Sequence, residues 1–451
     1  MSIFNGARLT NAVFKLDVER MRKGWYSDKY FENVEMLLAA LSRGGYVYQG
    51  KSARPLPCEP CGLRVGDIEV EMQWFTRRKP RALVAGVDKA LAMLRHCAGY
   101  FDDDGHFVET WDRLEVQAVQ DGVFVHYDGD PMSVQPVIRV RGPYWHFALL
   151  ETPTLGILSR ASRIATNVYN TLKAARGKPV LFFPARFDVH EVQAADGYAY
   201  DIGVRRFNKD YGGQVQSFVS TDAQGDWWGG IGGGTVPHSV LACFLGDTVE
   251  AMIAFAVTQP PEVPRVALVD FNNDCVGTSL AVAKAYWERY LPLKQAGNLA
   301  EAARYRLFGV RLDTSANMRD EGLVPMGMPE LDLGVNPRLV STVRNALDRA
   351  WESWDVPPEW EEEAKTFCRS VRIVVSGGFD PEKIQLFERL QVPVDIYGVG
   401  SSLMSNDKAT NTDFTADVVR VRLDGEWVDM AKIGRRACDN PDLEPVDLSA
   451  L

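Results

Sequence analysis

Short apolar segments that alternate with longer amphipathic segments dominate the sequence from residue 179 onward. The apolar segments cover residues 179–183, 214–219, 266–271, 307–312, 371–375 and 394–398. They are apolar on both faces, as buried strands of a parallel sheet are. Helical patterns lie between them, near residues 188–200, 239–257, 278–296, 337–353 and 381–390. Strand and helix in alternation predict a parallel sheet with right-handed crossovers, and six units favour a closed or nearly closed barrel.

The chain before residue 143 follows a different pattern. An apolar helical spacing extends from Asp28 to Leu41 with Ser27 as its cap. Strand-like segments and one further helical stretch follow it, at residues 46–50, 67–75, 85–98 (the helix), 113–119, 122–129 and 134–142. Acidic and apolar residues alternate in 67–75, which is typical of an antiparallel strand with one buried face. A turn containing Asp121-Gly122 joins two of the later segments.

The final strand-like region, DFTADVVRVRLDGEWVDMAKIG, predicts a two-stranded return through Asp424-Gly425. Such a return can rejoin the N-terminal sheet. We therefore expect an N-terminal α+β open sandwich in residues 1–142 and a parallel α/β barrel in residues 143–408. Residues 409–451 are expected to supply C-terminal strands that return to the N-terminal domain.

Charge and apolar content limit the partners of this chain. It has 50 Lys and Arg against 60 Asp and Glu in 451 residues, a net charge of −10, which argues against a nucleic-acid partner. No run of about 18 apolar residues occurs, so we expect no membrane span. The N-terminal segment lacks the apolar stretch of a signal peptide. The predicted partner is a small molecule, because local amides and a few basic side chains suffice to hold a small anion.

The seven cysteines are scattered along the chain, which is typical of reduced thiols in a cytoplasmic protein. Cys58 and Cys61 have metal-ligand spacing, but no second pair follows them. We therefore interpret them as two free thiols in a turn and expect no structural metal.

Glycine-rich loops follow the last two predicted strands. Ser376-Gly377-Gly378 comes after 371–375, and Gly398-Val399-Gly400-Ser401 comes at the end of 394–398. Glycine lets backbone N–H groups converge on an anion, and the start of a helix adds partial positive charge. Either loop alone is better explained as a tight turn. Two of them on successive strands favour a phosphate site.

Two further groups of polar residues lie where strands end or helices begin. Arg311 and Asp313 are two residues apart at a strand end, where Arg suits a carboxylate or phosphate and Asp suits sugar hydroxyls or a metal bound to diphosphate. A structural Arg–Asp pair is an equally good explanation. Thr235 and His238 precede an apolar helical run, and a neutral imidazole there can accept and pass on a phosphoryl group. A hydrogen-bonded structural histidine remains the alternative.

In their order along the chain, the motifs FFPAR, GGTVPHS, GVRLDTS, VVSGGFDPEKI, YGVGSSL and DFTADVVRV resemble those of nicotinate phosphoribosyltransferases. The N-terminal KGWYSDKYF and the segment LLETPTLGILSRASRIAT fit the same family. The resemblance extends from about residue 20 to residue 435. It is carried by the order and spacing of the motifs, because each single motif is unspecific.

The resemblance implies an irregular α/β barrel of the type II phosphoribosyltransferase kind, with an N-terminal sandwich completed by C-terminal strands. It implies condensation of nicotinate with 5-phosphoribosyl 1-diphosphate to nicotinate mononucleotide and diphosphate, a step of NAD salvage. ATP hydrolysis would be coupled through a phosphohistidine, and Mg²⁺ would bind with the diphosphate. The implied assembly is a homodimer, or a higher oligomer of dimers, whose active sites use both subunits.

The resemblance also assigns roles to single residues. His238 matches the phosphorylated histidine, and Thr235 lies in the nicotinate-contacting part of its motif. Tyr30 matches the residue that covers the pyridine ring from the neighbouring subunit. The remaining matches are Phe183 on the opposite face of the ring, Arg186 beside it, Arg311 and Asp313 at the carboxylate and ribose, and Ser376, Gly377, Gly378, Gly398, Gly400 and Ser401 around the 5-phosphate.

Some segments depart from the family pattern and leave alternatives open. FFPAR lacks an Asp-Phe-Gly before its arginine, and RLDTSAN lacks a Ser-Gly-Asp after its strand. The same fold with nicotinamide or quinolinate as the base is one alternative, and a catalytically inert homologue is another. The stretch GGIGGG could also be the dinucleotide turn of an oxidoreductase, but such a turn needs a strand directly before it. DAQGDWW precedes it here, so we reject that interpretation.

Overall fold

A computed structural model describes residues 5–57 and 60–451 of the chain. Cys58 lies outside these residues, and Cys61 is an exposed free thiol. None of the helices formed by the described residues combines the length and apolar character needed to cross a bilayer.

The helices carry the crossovers and cover the sheets. They are α1 (Asn11–Phe14), α2 (Val18–Arg22), α3 (Lys29–Arg43), α4 (Val87–Cys97), α5 (Glu151–Ala174), α6 (Gln193–Tyr211), α7 (Asp222–Gly225), α8 (His238–Cys243), α9 (Thr248–Thr258), α10 (Cys275–Gln295), α11 (Leu299–Ala303), α12 (Pro329–Asp332), α13 (Pro337–Arg349), α14 (Glu361–Ser370) and α15 (Pro381–Arg389).

The strands fall mainly into two sheets. They are β1 (Glu69–Thr76), β2 (Arg81–Leu83), β3 (Gly99–Phe101), β4 (Phe107–Glu109), β5 (Glu115–Ala118), β6 (Phe124–His126), β7 (Ile138–Pro143), β8 (Val180–Phe182), β9 (Val266–Leu268), β10 (Gly309–Leu312), β11 (Arg372–Val375), β12 (Ile396–Val399), β13 (Phe414–Leu423), β14 (Glu426–Asp429) and β15 (Glu444–Pro445).

The first sheet joins the two ends of the chain. Among the described residues its strand order is β14-β13-β1-β7-β5-β15, and all of its neighbours are antiparallel. Strand β13 pairs with β1 from Val70↔Val421 to Thr76↔Phe414. The predicted C-terminal completion of the N-terminal sheet is therefore confirmed.

One expectation about this sheet is wrong, and the turn at Asp121-Gly122 joins strands of different sheets. Strand β1 is buried on both faces instead of one, because its acidic positions have internal partners: Glu71 is fully buried and pairs with Arg141 at 2.6 Å and Arg420 at 3.2 Å. The segments on either side of Asp121-Gly122 do not pair with each other. Strand β5 joins β7, whereas β6 joins β2, so the turn separates two sheets instead of closing a hairpin.

The second sheet is parallel throughout, as the alternating pattern predicts. Its order within the described chain is β8-β12-β11-β10-β9. The predicted strand at 214–219 is reduced to single bridges from Val219 to Phe182 and Gly232. Within residues 5–57 and 60–451 no ladder joins these bridges to β9. The parallel α/β architecture is thus confirmed, whereas the hydrogen-bonded ladder of the described residues does not close into a barrel.

Polar caps fix where the crossover helices begin. At the start of each of three helices, a side-chain oxygen accepts a hydrogen bond from the backbone N–H three residues ahead. The capping residues are Asp274 for α10, Asn336 for α13 and Asp380 for α15. The helix predicted over 239–257 is interrupted. Leu245 and Gly246 have positive φ angles of 55° and 86°, and they separate α8 from α9.

Helix α5 connects the two main hydrophobic cores. Leu158, in its first half, packs into the core of the antiparallel sheet. Ile164, Val168 and Leu172 belong to the core around the parallel sheet. The helix thereby fixes one sheet against the other, while the boundaries at 142/143 and 408/409 stay predictions.

Candidate functional site

The predicted site residues follow neighbouring strands of the parallel sheet. In strand order, β8 leads to Phe183, β12 carries Gly398, β11 leads to Ser376, β10 leads to Asp313, and β9 is followed, after one valine, by Asp270. Because the carboxyl ends of parallel strands meet at one edge, these residues form one row.

Local contacts connect the middle of this row. The Ser376 hydroxyl, which is buried, donates to Oδ1 of Asp313 at 2.8 Å. Gly377 and Gly378 have φ angles of 86° and 71°, a conformation that favours glycine. A Cβ on Gly377 would lie 3.2 Å from Asp313 Oδ1. The Ser376–Gly378 loop therefore orients the Asp313 carboxylate and also presents its own backbone.

The start of α15 differs from the expected anion site. The Asp380 carboxylate caps this helix by accepting from the Lys383 N–H at 2.8 Å. A carboxylate of the chain itself thus occupies the helix N-terminus. Any phosphate contact at this loop depends on the amides of Gly377 and Gly378.

Glycines in and after β12 allow aromatic rings to approach the sheet closely. A Cβ on Gly398 would lie 2.7 Å from Cε2 of Phe183, and a Cβ on Gly400 would lie 2.7 Å from Cε2 of Phe187. Phe183 also packs edge-to-face with Phe218 at a centroid distance of 6.4 Å. A flat ring therefore lines one side of the row.

The Arg311 guanidinium, on β10, is largely buried. Its Nε has no hydrogen-bond partner, and no carboxylate oxygen of the described chain lies within 4.0 Å of it. Burial lowers the pKa of Arg311, whereas Asp313 and Asp270 raise it and Arg186 lowers it further. A partly buried cation with unused donors is suited to binding an anion.

His238 begins α8 and contacts the other end of the row. Its Nε2 lies 3.0 Å from Oδ2 of Asp270, and its side chain is 45% exposed against 9% for the aspartate. Burial raises the pKa of Asp270, the His238 contact lowers it, and Asp313 raises it. Oδ1 of Asp270 is buried and finds no hydrogen-bond partner in the described part of the chain.

Asp270 is a site residue that the sequence reasoning missed. The available signal was its place in VALVDF, as the first acidic residue after a buried strand. A histidine that contacts a carboxylate through one nitrogen is held in a fixed orientation. The other ring nitrogen then remains free for chemistry.

Three more predicted residues lie near this row. Arg186 is exposed, with its guanidinium 5.5 Å from the centroid of the Phe187 ring. Thr235 is half-buried, three residues before His238. Ser401 is exposed and begins a 3₁₀ turn, Ser401–Met404.

Tyr30 does not join the other predicted residues within one chain. It lies on α3, is 58% exposed and packs only against the ring of Phe31 at 4.3 Å among the ring contacts of the described residues. Trp25, Met36 and Leu37 are also exposed in this region. Helix α3 and the residues just before it therefore present an exposed apolar surface that includes Tyr30.

The oxidoreductase alternative is excluded by the local structure. The turn-rich stretch Gly229–Gly234 follows helix α7 and Trp227, instead of a strand. Asp222 accepts a hydrogen bond from the Gly232 N–H at 2.9 Å, so a carboxylate of the chain itself already binds this loop amide. In the described residues no cluster of three or more His, Cys, Asp or Glu side chains could hold a metal ion.

No family model matches the chain. A curated human protein named nicotinate phosphoribosyltransferase is 27% identical over 280 residues, covering 60% of this chain and 49% of that protein. The chain thus spans about half the length of the curated relatives it matches.

Two solved structures have a similar fold. A nicotinate-nucleotide pyrophosphorylase from Pyrococcus furiosus superposes with a TM-score of 0.60 at 24% identity, covering 94% of this chain and 80% of that chain. Human nicotinic acid phosphoribosyltransferase gives a TM-score of 0.56 at 18% identity, covering 88% and 75%. The resemblance to nicotinate phosphoribosyltransferases is therefore confirmed in sequence over part of the chain and in fold over most of it.

Proposed function

We propose that this chain is a phosphoribosyltransferase that joins nicotinate to 5-phosphoribosyl 1-diphosphate, giving nicotinate mononucleotide and diphosphate. The observation that supports it most is the continuous row at one sheet edge. An aromatic ring, an arginine with unused donors, a fixed carboxylate and glycine loops are what a flat pyridine acid and a sugar phosphate need.

Arg311 and Phe183 would bind the base. The free donors of Arg311 suit the nicotinate carboxylate, and the Phe183 ring suits one face of the pyridine. Arg186 adds positive charge at the exposed side of the site. Holding the ring nitrogen at a fixed place removes much of the entropic barrier to bond formation.

Asp313 and the glycine loops would bind the sugar donor. The N–C1 bond forms as the bond from C1 to the diphosphate oxygen breaks, so positive charge develops on the ribose and negative charge on the leaving group. The Asp313 carboxylate, oriented by Ser376, is suited to the sugar side of this change. The amides of Gly377, Gly378 and Gly400 are suited to the 5-phosphate.

Mg²⁺ fits the carboxylates present. Asp313 and Asp270 influence each other electrostatically, and Oδ1 of Asp270 lacks a partner. Mg²⁺ retains several waters and substrate oxygens, so two carboxylates suffice to hold it near a diphosphate. Bound there, it would neutralise charge on the leaving group.

His238 would couple ATP hydrolysis to the transfer. Since Nε2 contacts Asp270, the neutral ring assigned from this contact carries its proton on Nε2. The lone pair on Nδ1 is then the nucleophile. It would take the terminal phosphoryl group of ATP as the bond to the ADP oxygen breaks, and water would later release phosphate.

The exposed Tyr30 supports a site shared between two subunits. We propose a homodimer, or a higher oligomer of dimers, in which Tyr30 reaches the partner's base site. Tyr30→Ala and Arg311→Ala should each be inactive alone. Mixed after denaturation and refolding, they should regain up to about a quarter of the wild-type activity through dimers with one intact site. No recovery would contradict the shared site.

The base is tested by direct assay. The pure protein is incubated with the sugar donor and nicotinate, nicotinamide or quinolinate, with and without ATP. Nicotinate should be used best, ATP should raise turnover, and acid-labile phosphate should form on His238 but not in His238→Ala. Quinolinate is the strongest competitor, because Arg186 and Arg311 lie close enough to repel each other and could hold a second carboxylate.

Arg349→Ala serves as a matched control, because Arg349 is exposed and pairs with Glu352 on the surface. Its activity should equal that of the wild type, whereas Arg311→Ala should lose at least a hundredfold. If the wild type converts none of the three bases, the remaining interpretation is a catalytically inert homologue.

A further inference from the structure

Arg78 and Arg163, the latter on α5, lie near each other, and neither has a carboxylate partner among the described residues. Arg78, which follows β1, is 6% exposed and donates to Oγ1 of Thr412 at 2.8 Å and to Oδ1 of Asn167 at 2.9 Å. It also approaches the backbone oxygen of Arg163 at 3.5 Å. The Nε of Arg163 is buried and has no hydrogen-bond partner within residues 5–57 and 60–451.

The carboxylates nearest to this pair are already committed. Arg160, one turn before Arg163, binds Asp196 and Asp188, each at 2.7 Å. Asp407 accepts from the Ala409 and Thr410 N–H groups of its own turn. In the part of the chain that the structure describes, no carboxylate oxygen lies within 4.0 Å of Arg78 or Arg163.

The pair therefore carries uncompensated positive charge. Burial, followed by the charge of Arg163, lowers the pKa of Arg78 to about 10. Burial is the main cause that lowers the pKa of Arg163, and the positive charge of Arg160 lowers it further. This effect is opposed only at longer range, by Asp413, Asp196 and Asp188. Two partly buried like charges are costly unless an anion binds beside them.

Hydrogen bonds connect this pair to the glycine loop after β12. Asn167, which binds Arg78, donates through Nδ2 to the backbone oxygens of Leu403 and Ser405, each at 3.1 Å. The Leu403 carbonyl belongs to the Ser401–Met404 turn, and the Ser405 carbonyl directly follows it. On the other side, Asp188 follows the turn that carries Arg186. The arginines thus adjoin two loops of the candidate site.

We propose that Arg163, with Arg78 behind it, forms a second anion-binding site that takes a phosphoryl oxyanion. Arg163 is partly exposed, so an anion can reach its unused donors from solvent. The planar guanidinium matches the geometry of phosphate oxygens. This inference deepens the proposed function and rests on it only for the source of the anion. That source is either the diphosphate of the sugar donor or free inorganic phosphate.

The test is a calorimetric titration of the full chain with diphosphate and, separately, with inorganic phosphate. Arg163→Met keeps the length of the side chain and removes its charge, and Arg349→Met is the matched surface control. Diphosphate should bind Arg163→Met at least tenfold more weakly than wild type, with Arg163→Lys between them and Arg349→Met unchanged. If Arg163→Met loses affinity for diphosphate alone, the bound anion comes from the sugar donor. If it loses affinity for inorganic phosphate equally, the bound anion is free phosphate.

Equal diphosphate and phosphate affinities in Arg163→Met and wild type would overturn the proposal, as would no binding to wild type. Thermal unfolding without anions checks the fold, because Arg163→Met removes a repulsion and should melt no earlier than wild type. The rise in melting temperature on adding diphosphate should shrink in this variant. The titration measures binding and needs no turnover. An inactive wild type would therefore refute the proposed reaction, while the titration would still test the anion site.

Discussion

Replacing Gly398 by alanine should weaken the use of nicotinate, because the added methyl group displaces the Phe183 ring. The new Cβ would lie 2.7 Å from Cε2 of Phe183, 3.0 Å from its Cδ2 and 3.3 Å from Cβ of Ser376. Ordinary contact begins at 3.4 Å, so the ring must move by at least 3.4 − 2.7 = 0.7 Å. The strand itself has little freedom to move, because it is paired on both sides.

The size of the effect follows from this displacement. Overpacking of this kind typically costs about 1–3 kcal/mol in the free energy of unfolding. A shift approaching 1 Å in a positioning group can cost roughly a hundredfold in rate. We therefore expect kcat/KM for nicotinate to fall about ten- to a hundredfold, with a smaller change in KM for the sugar donor.

The assay is steady-state kinetics with each substrate varied in turn, together with urea unfolding. Gly156→Ala is the matched control, because Gly156 is an exposed residue of α5 and a methyl group added there would have no atom within 4 Å. That change should leave kinetics unaltered and stabilise the fold by about 0.5–1 kcal/mol. Wild-type kcat/KM for nicotinate in Gly398→Ala would refute the role of Phe183.

Three further changes test other parts of the structure. Asp270→Asn should slow phosphorylation of His238 by ATP at least tenfold, measured as acid-labile phosphate, because the ring loses its charged partner. Glu71→Ala should lower the free energy of unfolding by about 1–3 kcal/mol in urea, since Arg141 and Arg420 lose their shared buried carboxylate and keep only the more exposed Glu115 and Asp429. Burial and the neighbouring Asp88 raise the pKa of Asp121 to about 7, so wild type should lose stability relative to Asp121→Asn as pH rises from 4 to 7. The loss should be at most about 4 kcal/mol, and identical pH profiles of melting temperature would contradict it.

The parallel sheet was predictable because its signal is local. Strands β9 to β12 each carry consecutive apolar residues, and their loops contain the glycines that the positive φ angles at Gly377 and Gly378 require. The antiparallel sheet was harder. The acidic alternation in β1 indicated an exposed face, but the face is covered by arginines from strands distant in sequence, Arg141 and Arg420.

The candidate site was predictable as far as its members lie in motifs. Asp270 escaped because its significance arises from His238, 32 residues away, and a single aspartate after a strand has no characteristic spacing. The tertiary role of the Asp121-Gly122 turn was also not visible in the sequence. Its aspartate is buried and binds the Val87 N–H and the Tyr198 hydroxyl, so it serves tertiary contacts instead of closing a hairpin.

The pairing of β1 with β13 governs when the protein can complete its fold during synthesis. Thr76 and Asp413, joined by a hydrogen bond of 3.0 Å, are 337 residues apart. Translation must pass residue 423 before β1 acquires its second neighbour, so the nascent N-terminal sheet presents an open edge for most of elongation. Ribosome-bound intermediates of this chain should depend on a chaperone or on the emerging barrel to keep that edge from pairing with other chains.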